Sequence, residues 1–350
     1  MSMSDHPAQP ELTDGTVVLR PWRDDDVDRA VAGHDEEIAH WSGPPQVTPS
    51  RAAHEETLVA WQQDDAAGRT RVGFVVERDG DVVGSVEVRD LGHSTGELSW
   101  TLYAGRRGQG SATLAVRLLV DYAFGELGLT RVQARVEPEN ARAVRVATRS
   151  GLRREGVMRV APGTGHRAET REYVVLARLR DDPAITEPQA FRALLNSFLP
   201  RKRAIAQLLV RDPSGRVLLC RLTYKQDWDL PGGVVEVHES PQVAVVREVA
   251  EELQLDIPPG RLLLTDWLPS WSGWDDALCL VFDGGVHDAS ITGQVVVQPR
   301  EIRSAQFCTL DEIREHCADF TARRIESALA RVEHRTGAAA AYTESGRAAD

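Results

Sequence analysis

Apolar and polar residues alternate over short segments at 17–20, 72–78, 82–89 and 97–102, a period of two that predicts β-strands. Asp79-Gly80-Asp81 supplies a hairpin turn between the second and third of these. Past residue 102 the period lengthens. Leu114, Ala115, Leu118, Leu119 and Tyr122 recur three and four apart, the stripe of an amphipathic helix. The second half repeats the alternation: 203–211 and 217–222 read as strands around the turn Asp212-Pro213-Ser214-Gly215, and 262–267, 277–282 and 302–307 as further strands. Residues 310–317 and 322–331 read as helices.

Between the halves, 178–188 is poor in large apolar residues and carries Asp181-Asp182-Pro183 and Glu187-Pro188, a linker-like composition. A chain of 350 residues exceeds what one core usually organises. The expected organisation is therefore one domain over 11–180, a linker over 181–199 with a brief helix at 191–199, and a second domain over 200–335. Residues 1–10 and a small, polar tail over 336–350 are expected to be mobile.

Ser240 can cap a helix whose first turn holds Pro241. At about 100° per residue, Val243, Val246, Val249, Ala250 and Leu253 gather on one side of it, and Glu248, Glu251 and Glu252 on the other. Three carboxylates so close repel one another, so they are expected to bind a cation or take up protons; oxygen ligands favour Mg²⁺ or Mn²⁺. Arg247 is expected to orient them by clamping a carboxylate such as Glu239.

The string Gly233 … Glu239 … Arg247-Glu248-Val249-Ala250-Glu251-Glu252-Leu253-Gln254-Leu255 resembles the Nudix box. The resemblance covers about residues 200–333 and implies a small α/β/α sandwich domain. It implies metal on Glu248, Glu251 and Glu252, with the box glycine Gly233 in the same metal site. It also implies hydrolysis of a nucleoside diphosphate linked to another group, with Glu251 or, as the weaker choice, Glu301 as general base. Gln254 departs from the pattern, which has glycine there; if the helix ends left-handed, glutamine costs about 1 kcal/mol relative to glycine. Trp267, Trp271 and Trp274 could stack a base or fill a core, and Lys225 and Trp228 could meet a phosphate and a base or be a solvated lysine and a packed aromatic.

In the first half, Gly105-Arg106-Arg107-Gly108-Gln109-Gly110-Ser111-Ala112 lies between a strand and a helix, where backbone N–H groups and the helix dipole can receive a pyrophosphate. Together with Leu19-Arg20-Pro21-Trp22 … Asp24-Asp25, Asn140-x-x-Ala143 and Ser150-Gly151-Leu152, it resembles the GNAT N-acetyltransferases over 11–179, in particular the branch acting on ribosomal-protein N-termini. The resemblance implies a mixed-sheet domain. It implies that Arg107, Gly108, Gln109, Gly110, Ser111 and Ala112 hold the pyrophosphate of acetyl-CoA and that Asn140 contacts its pantetheine arm or thiol side. Glu97 is the candidate base or water-holder; some relatives carry a tyrosine acid near the position of Ala147, and here Asn140 or a water is expected to serve in its place.

The net charge of −12 argues against a nucleic-acid polymer or an anionic membrane as partner and leaves a free nucleotide, while the GNAT resemblance implies an amine, from a small molecule or a protein N-terminus. Cys220, Cys279, Cys308 and Cys317 lack metal spacing and are expected to be reduced core thiols, with one disulfide left open. The chain has no 18-residue apolar run and no signal-peptide core, so a cytoplasmic location is expected. Oligomeric state is not legible. The expected fold class is α/β (α+β), and the expected function a bifunctional acetyl-CoA-dependent N-acetyltransferase and Mg²⁺-dependent hydrolase. The alternative is a nucleotide- or acetyl-CoA-binding sensor in which one domain has lost turnover.

Overall fold

The computed structural model describes residues 9–42, 52, 71–160, 171–224, 226–271, 273–333 and 341–348. The chain divides into two compact units, 1–199 and 200–350.

In the first unit, strands β1 (Leu12–Thr13), β2 (Val18–Arg20), β3 (Arg71–Arg78), β4 (Asp81–Asp90), β5 (Thr95–Leu102), β6 (Arg131–Val136), β7 (Arg153–Val160) and β8 (Arg171–Leu179) form one sheet, ordered β1-β2-β3-β4-β5-β6-β8-β7. Each pair is antiparallel except β5–β6, which runs parallel. The helices are α1 (Asp24–Gly33), α2 (Glu36–Ser42), α3 (Ser111–Gly125), α4 (Ala141–Arg149) and α5 (Pro188–Phe198). Ala115, Val116, Leu119 and Val120 of α3 bury against Phe74, Val86, Leu98 and Val132 on one sheet face. On the other face, Ala30 and Ile38 of α1 and α2 pack with Val75, Val82 and Tyr103. A buried pair, Arg20 with Asp26 at 2.7 and 3.0 Å, ties α1 to β2.

The expected linker is only partly a linker. Within it α5 sets Phe198 against the first unit's core, and Ser197 Oγ accepts a hydrogen bond from the Arg154 N–H at 3.2 Å. The apolar positions of this short helix are too few to reveal its docking face before the sheet is assembled.

In the second unit, strands β9 (Arg203–Arg211), β10 (Val217–Leu222), β11 (Trp228–Asp229), β12 (Gly232–Val234), β13 (Leu262–Leu268), β14 (Ala277–Val286) and β15 (Ile302–Cys308) join a mixed sheet, with β15 on β10 and β12 on β9. Helix α6 (Pro241–Leu253) covers one face through Ala244, Val245, Val249 and Leu253. Helices α7 (Leu310–His316) and α8 (Asp319–Glu333) cover the other through Ile313, Ile325 and Ala328. Two helical layers around a sheet make the α/β/α sandwich.

The tail expected to be mobile is instead part of this sheet where it is described: β16 (Ala341–Glu344) pairs parallel with β13, and β17 (Arg347–Ala348) folds back on β16. The reason is polar. Asp266, with no solvent exposure, accepts from Thr343 Oγ1 at 2.7 Å, the Gly346 N–H at 2.8 Å and Arg324 Nε at 2.9 Å. Buried carboxylates need such donors, and an apolar pattern gives no sign of them. The four cysteines are buried and none is in a disulfide. Among the described residues, no helix is long and apolar enough to cross a membrane.

Candidate active sites

Helix α6 begins as its sequence directs, with Ser240 Oγ accepting from the Val243 N–H at 3.3 Å and Pro241 in the first turn. The buried face, however, is rotated from the expected one. Val243 and Ala250 are exposed, while Ala244 and Val245 are buried and Glu252 is turned inward, 5% exposed. Glu252, on the side assigned to solvent, therefore faces the sheet, where β12 brings its glycines against the helix. A Cβ at Gly233 would run into the Glu248 carboxylate where it now lies.

Arg247 organises the acids. Its Nε and Nη2 reach the two oxygens of Glu239 at 2.9 and 3.0 Å, and its Nη1 reaches Glu248 at 3.0 Å and Glu251 at 3.1 Å. Its Nη2 also donates to the Val234 carbonyl at 3.2 Å, fixing the guanidinium between β12 and α6. Glu252 accepts one hydrogen bond, from the Gly232 N–H at 3.2 Å. Burial, and then the charges of Glu248, Glu301 and Asp229, push its carboxyl up to about 8. Burial, with Glu251 and Glu301, likewise raises Glu248 against the pull of Arg247. Thus α6 and the residue before β15 bring Glu248, Glu252 and Glu301 within electrostatic reach of one another.

This donor set fits a hard divalent cation: oxygen ligands only, one deeply buried, and mutual repulsion that a cation relieves. Among the described residues, no three acidic, histidine or cysteine side chains are already gathered as an ion would hold them. Arg247 Nη1 holds both Glu248 and Glu251.

The tryptophans separate into two groups. Trp228 stacks on His316 with ring centroids 4.9 Å apart, and Trp267 is half-buried on β13. Trp271 and Trp274 stay exposed; Trp271 meets Phe320 edge-on, and Arg203 lies over Trp274 at 5.0 Å. Lys225 lies outside the described residues.

In the first unit, the parallel strands β5 and β6 pair only from Thr95–Glu97 against Arg131–Gln133 and then part. The opening is a cleft of about 400 Å³. Arg107, Gly108, Gly110, Ala112 and Asn140 line it, together with Trp41, Trp100 and Leu102. Gly108 and Gly110 have φ of 83° and 84°, left-handed values that turn the loop into the start of α3. Gln109 and Ser111 serve the loop's shape: Arg78 Nη1 donates to the Gln109 carbonyl at 2.9 Å and to Ser111 Oγ at 3.1 Å. The Arg107 side chain is engaged elsewhere. It donates to both oxygens of Asp35 at 2.7 and 2.8 Å, to Glu37 at 3.0 Å and to the Leu102 carbonyl at 3.0 Å, and it holds the Asp35 carboxyl down at about 2. Asn140 caps α4, accepting from the Ala143 N–H at 3.0 Å.

Glu97 does not line the cleft. It is gripped by Arg89 and Arg135; burial pushes its carboxyl up, but the two guanidiniums outweigh burial and hold it below the ordinary range. A carboxylate so stabilised is a weaker proton acceptor than a free one. Arg142, Arg145 and Arg149, passed over in the sequence, also line the cleft, and their spacing along α4 was the available signal.

Comparison with known proteins falls into the same two halves. The acetyltransferase (GNAT) domain model matches residues 16–153 and the NUDIX domain model residues 200–329. An uncharacterized N-acetyltransferase, p20, of Bacillus licheniformis is 31% identical over 91 residues, 25% of this chain and 51% of that protein. The chain thus spans about half the length of p20. A MutT-like protein of Streptomyces ambofaciens is 32% identical over 130 residues, 36% of this chain and 75% of that protein. Among solved structures, Mycobacterium smegmatis RimJ in complex with CoA-disulfide aligns with a TM-score of 0.44 at 22% identity, covering 53% of this chain and 93% of that one. The chain belongs to both families: it is a GNAT acetyltransferase domain over residues 16–153 fused to a Nudix domain over residues 200–329.

Proposed function

We propose that this chain is a bifunctional enzyme, hydrolysing a nucleoside diphosphate linked to another group in its second unit and moving an acetyl group from acetyl-CoA to an amine in its first. The observation that carries the hydrolase is Glu252: a buried acid beside Glu248 and Glu301, with one backbone donor, is costly unless it serves a cation. Glu248, Glu251 and Glu252 would hold Mg²⁺ or Mn²⁺, with Gly233 beside them; the ion, when bound, supplies positive charge at the pyrophosphate oxygens. Arg247 keeps the acids in position. Glu251 or Glu301 takes the proton of the attacking water while its oxygen bonds to phosphorus and the bridging P–O bond breaks.

In the first unit, the N–H groups at Gly108 and Gly110 and the start of α3 would receive the acetyl-CoA pyrophosphate. Arg145 and Arg149 would face its remaining phosphate, and Asn140 its pantetheine arm. The amine nitrogen attacks the thioester carbon, the C–S bond breaks, and the proton leaves through a water beside Asn140. A second reading, acetyl-CoA binding without turnover, is favoured by the Glu97 ion pairs. The partners would be small molecules or a protein N-terminus, and buried thiols outside any disulfide fit the reducing cytoplasm.

The test is a screen of nucleoside triphosphates, nucleotide sugars, dinucleoside polyphosphates, NADH and CoA with full-length protein and Mg²⁺, beside a Glu252→Gln control. Small amines and peptides with acetyl-CoA are assayed in parallel for thiol release. We expect one phosphate class to turn over and the control to lose on the order of a hundredfold in rate while staying folded. Full activity in the control sinks the assigned role of Glu252; acetyl-CoA binding with no thiol release from any amine or peptide decides for the second reading.

A further inference from the structure

Strands β9 and β10 share one pair, Arg211 with Val217, and then part. Because β11 pairs with β10 and β12 with β9, the turn from Asp229 to Gly232 crosses the gap between them. A side chain in that gap can touch groups on both faces of the sheet, and Asp229 does so. Its Oδ1 accepts from Gln207 Nε2 at 2.8 Å and lies 3.9 Å from Arg324 Nη1. Gln207 alternates with Ile205 and Leu209, on the face that α7 and α8 cover. The charge of Asp229 also reaches Glu252 and Cys220, on the face that α6 covers.

Arg324 orients the amide. Its Nη1 donates to Gln207 Oε1 at 3.1 Å, where Cys279 Sγ also donates at 3.1 Å, which leaves Nε2 toward Asp229. Asp229 accepts as well from the Leu230 N–H at 2.9 Å, and the Leu208 N–H donates to the Pro231 carbonyl at 3.0 Å, so β9 closes on the turn. Gly232 lies so near β9 that a Cβ there would meet the Ala206 carbonyl and Gln207 Cα, and its N–H is the donor to Glu252. At the other end, Arg324 Nε is fixed by Asp266, and Asp266 by Thr343 and Gly346 of the tail. Arg324 Nη2 is buried and has no hydrogen-bond partner among the described residues. Keeping such a guanidinium in the core is costly, and apolar side chains of similar volume would fill the space without that cost.

We propose that Arg324 is a positioning residue of the hydrolase: through Gln207 and Asp229 it holds the turn that presents the Gly232 N–H to Glu252, and so sets the buried acid for the cation. The strand pair β16–β17, which holds Asp266, is then part of the support of the metal site, although it contributes no ligand. The inference rests on the hydrolase reading above for the role of Glu252. Groups that orient a metal ligand from behind weaken metal binding by about tenfold or more when they are removed.

The experiment is calorimetric titration of the full chain with Mn²⁺ alone, at a temperature where circular dichroism shows each variant folded. Arg324→Lys keeps the charge but lacks the fork that joins Asp266 to Gln207; it should weaken Mn²⁺ binding about tenfold, and Gln207→Leu about as much. Because both cut one path, the double variant should bind no more than about twofold weaker than either single. Ile325→Val, next to Arg324 and fully buried, should cost stability and leave Mn²⁺ affinity unchanged. Thr343→Val, the mildest cut, should weaken Mn²⁺ about threefold and carries the test if Arg324→Lys does not fold. Losses that multiply in the double variant, or losses no larger than that of Ile325→Val, overturn the proposal. Glu252→Gln separates the two failures: Mn²⁺ binding that survives it sinks the hydrolase reading, whereas binding lost in it but unmoved by Arg324→Lys sinks the positioning role alone.

Discussion

Gln254 ends α6 at φ 54° and ψ 33°, in the left-handed region where a Cβ crowds the following carbonyl. The residue type and the expected helix end made this legible from sequence. Gln254→Gly should stabilise the second unit by about 1 kcal/mol, measured by urea unfolding; an unchanged midpoint would mean that the glutamine side chain compensates for the strain. Glu252 teaches the reverse. Its identity as an acid of the box was plain, but its burial was not, because a helical projection rotated by one position exchanges an inward acid for an exposed one. Glu97 differs again: the partners that neutralise it, Arg89 and Arg135, are 8 and 38 residues away, on other strands.

At the scale of elements, the hairpins and α6 were predictable because their information is local: alternation, a turn, a cap and a proline. The C-terminal pair β16–β17 was not, because it is held by Asp266 rather than by an apolar stripe. That network extends further: Arg324, 2% exposed, joins Asp266 at 2.9 Å to Gln207 Oε1 at 3.1 Å, and Gln207 donates to Asp229 at 2.8 Å, two residues before the box turn begins at Pro231. Thr343→Val should destabilise the protein by about 1–3 kcal/mol, since it leaves a buried carboxylate short of a donor. Denaturant unfolding reads the loss, and a change within error would show that Gly346 and Arg324 suffice. On the other side of the molecule's chemistry, α4 presents Arg142, Arg145 and Arg149 to the cleft from a helix whose only buried residue is Ala147.

For the molecule as a whole, the two units have separate cores, Leu119 and Val132 among those of one and Val245 and Leu263 among those of the other. Separate cores unfold as separate cooperative events unless a large interface couples them. Scanning calorimetry should therefore resolve two transitions, one raised by Mg²⁺ and the other by acetyl-CoA, since a ligand stabilises only the state that binds it. Glu252→Gln should remove the Mg²⁺ shift and leave the acetyl-CoA shift intact. A single transition raised by both ligands would contradict independent units.

By itself the sequence determined two domains, most of their strands and helices, the acids of α6 and the glycine loop before α3, all of which follow from short-range spacing and backbone geometry. Only the tertiary structure decided which acids are buried, which arginines face a cleft, that Glu97 is already paired, and that the tail completes a sheet. These depend on side chains brought together from distant positions, where burial raises the cost of an unpaired charge and a nearby opposite charge decides whether a group is poised for chemistry or consumed in holding the fold.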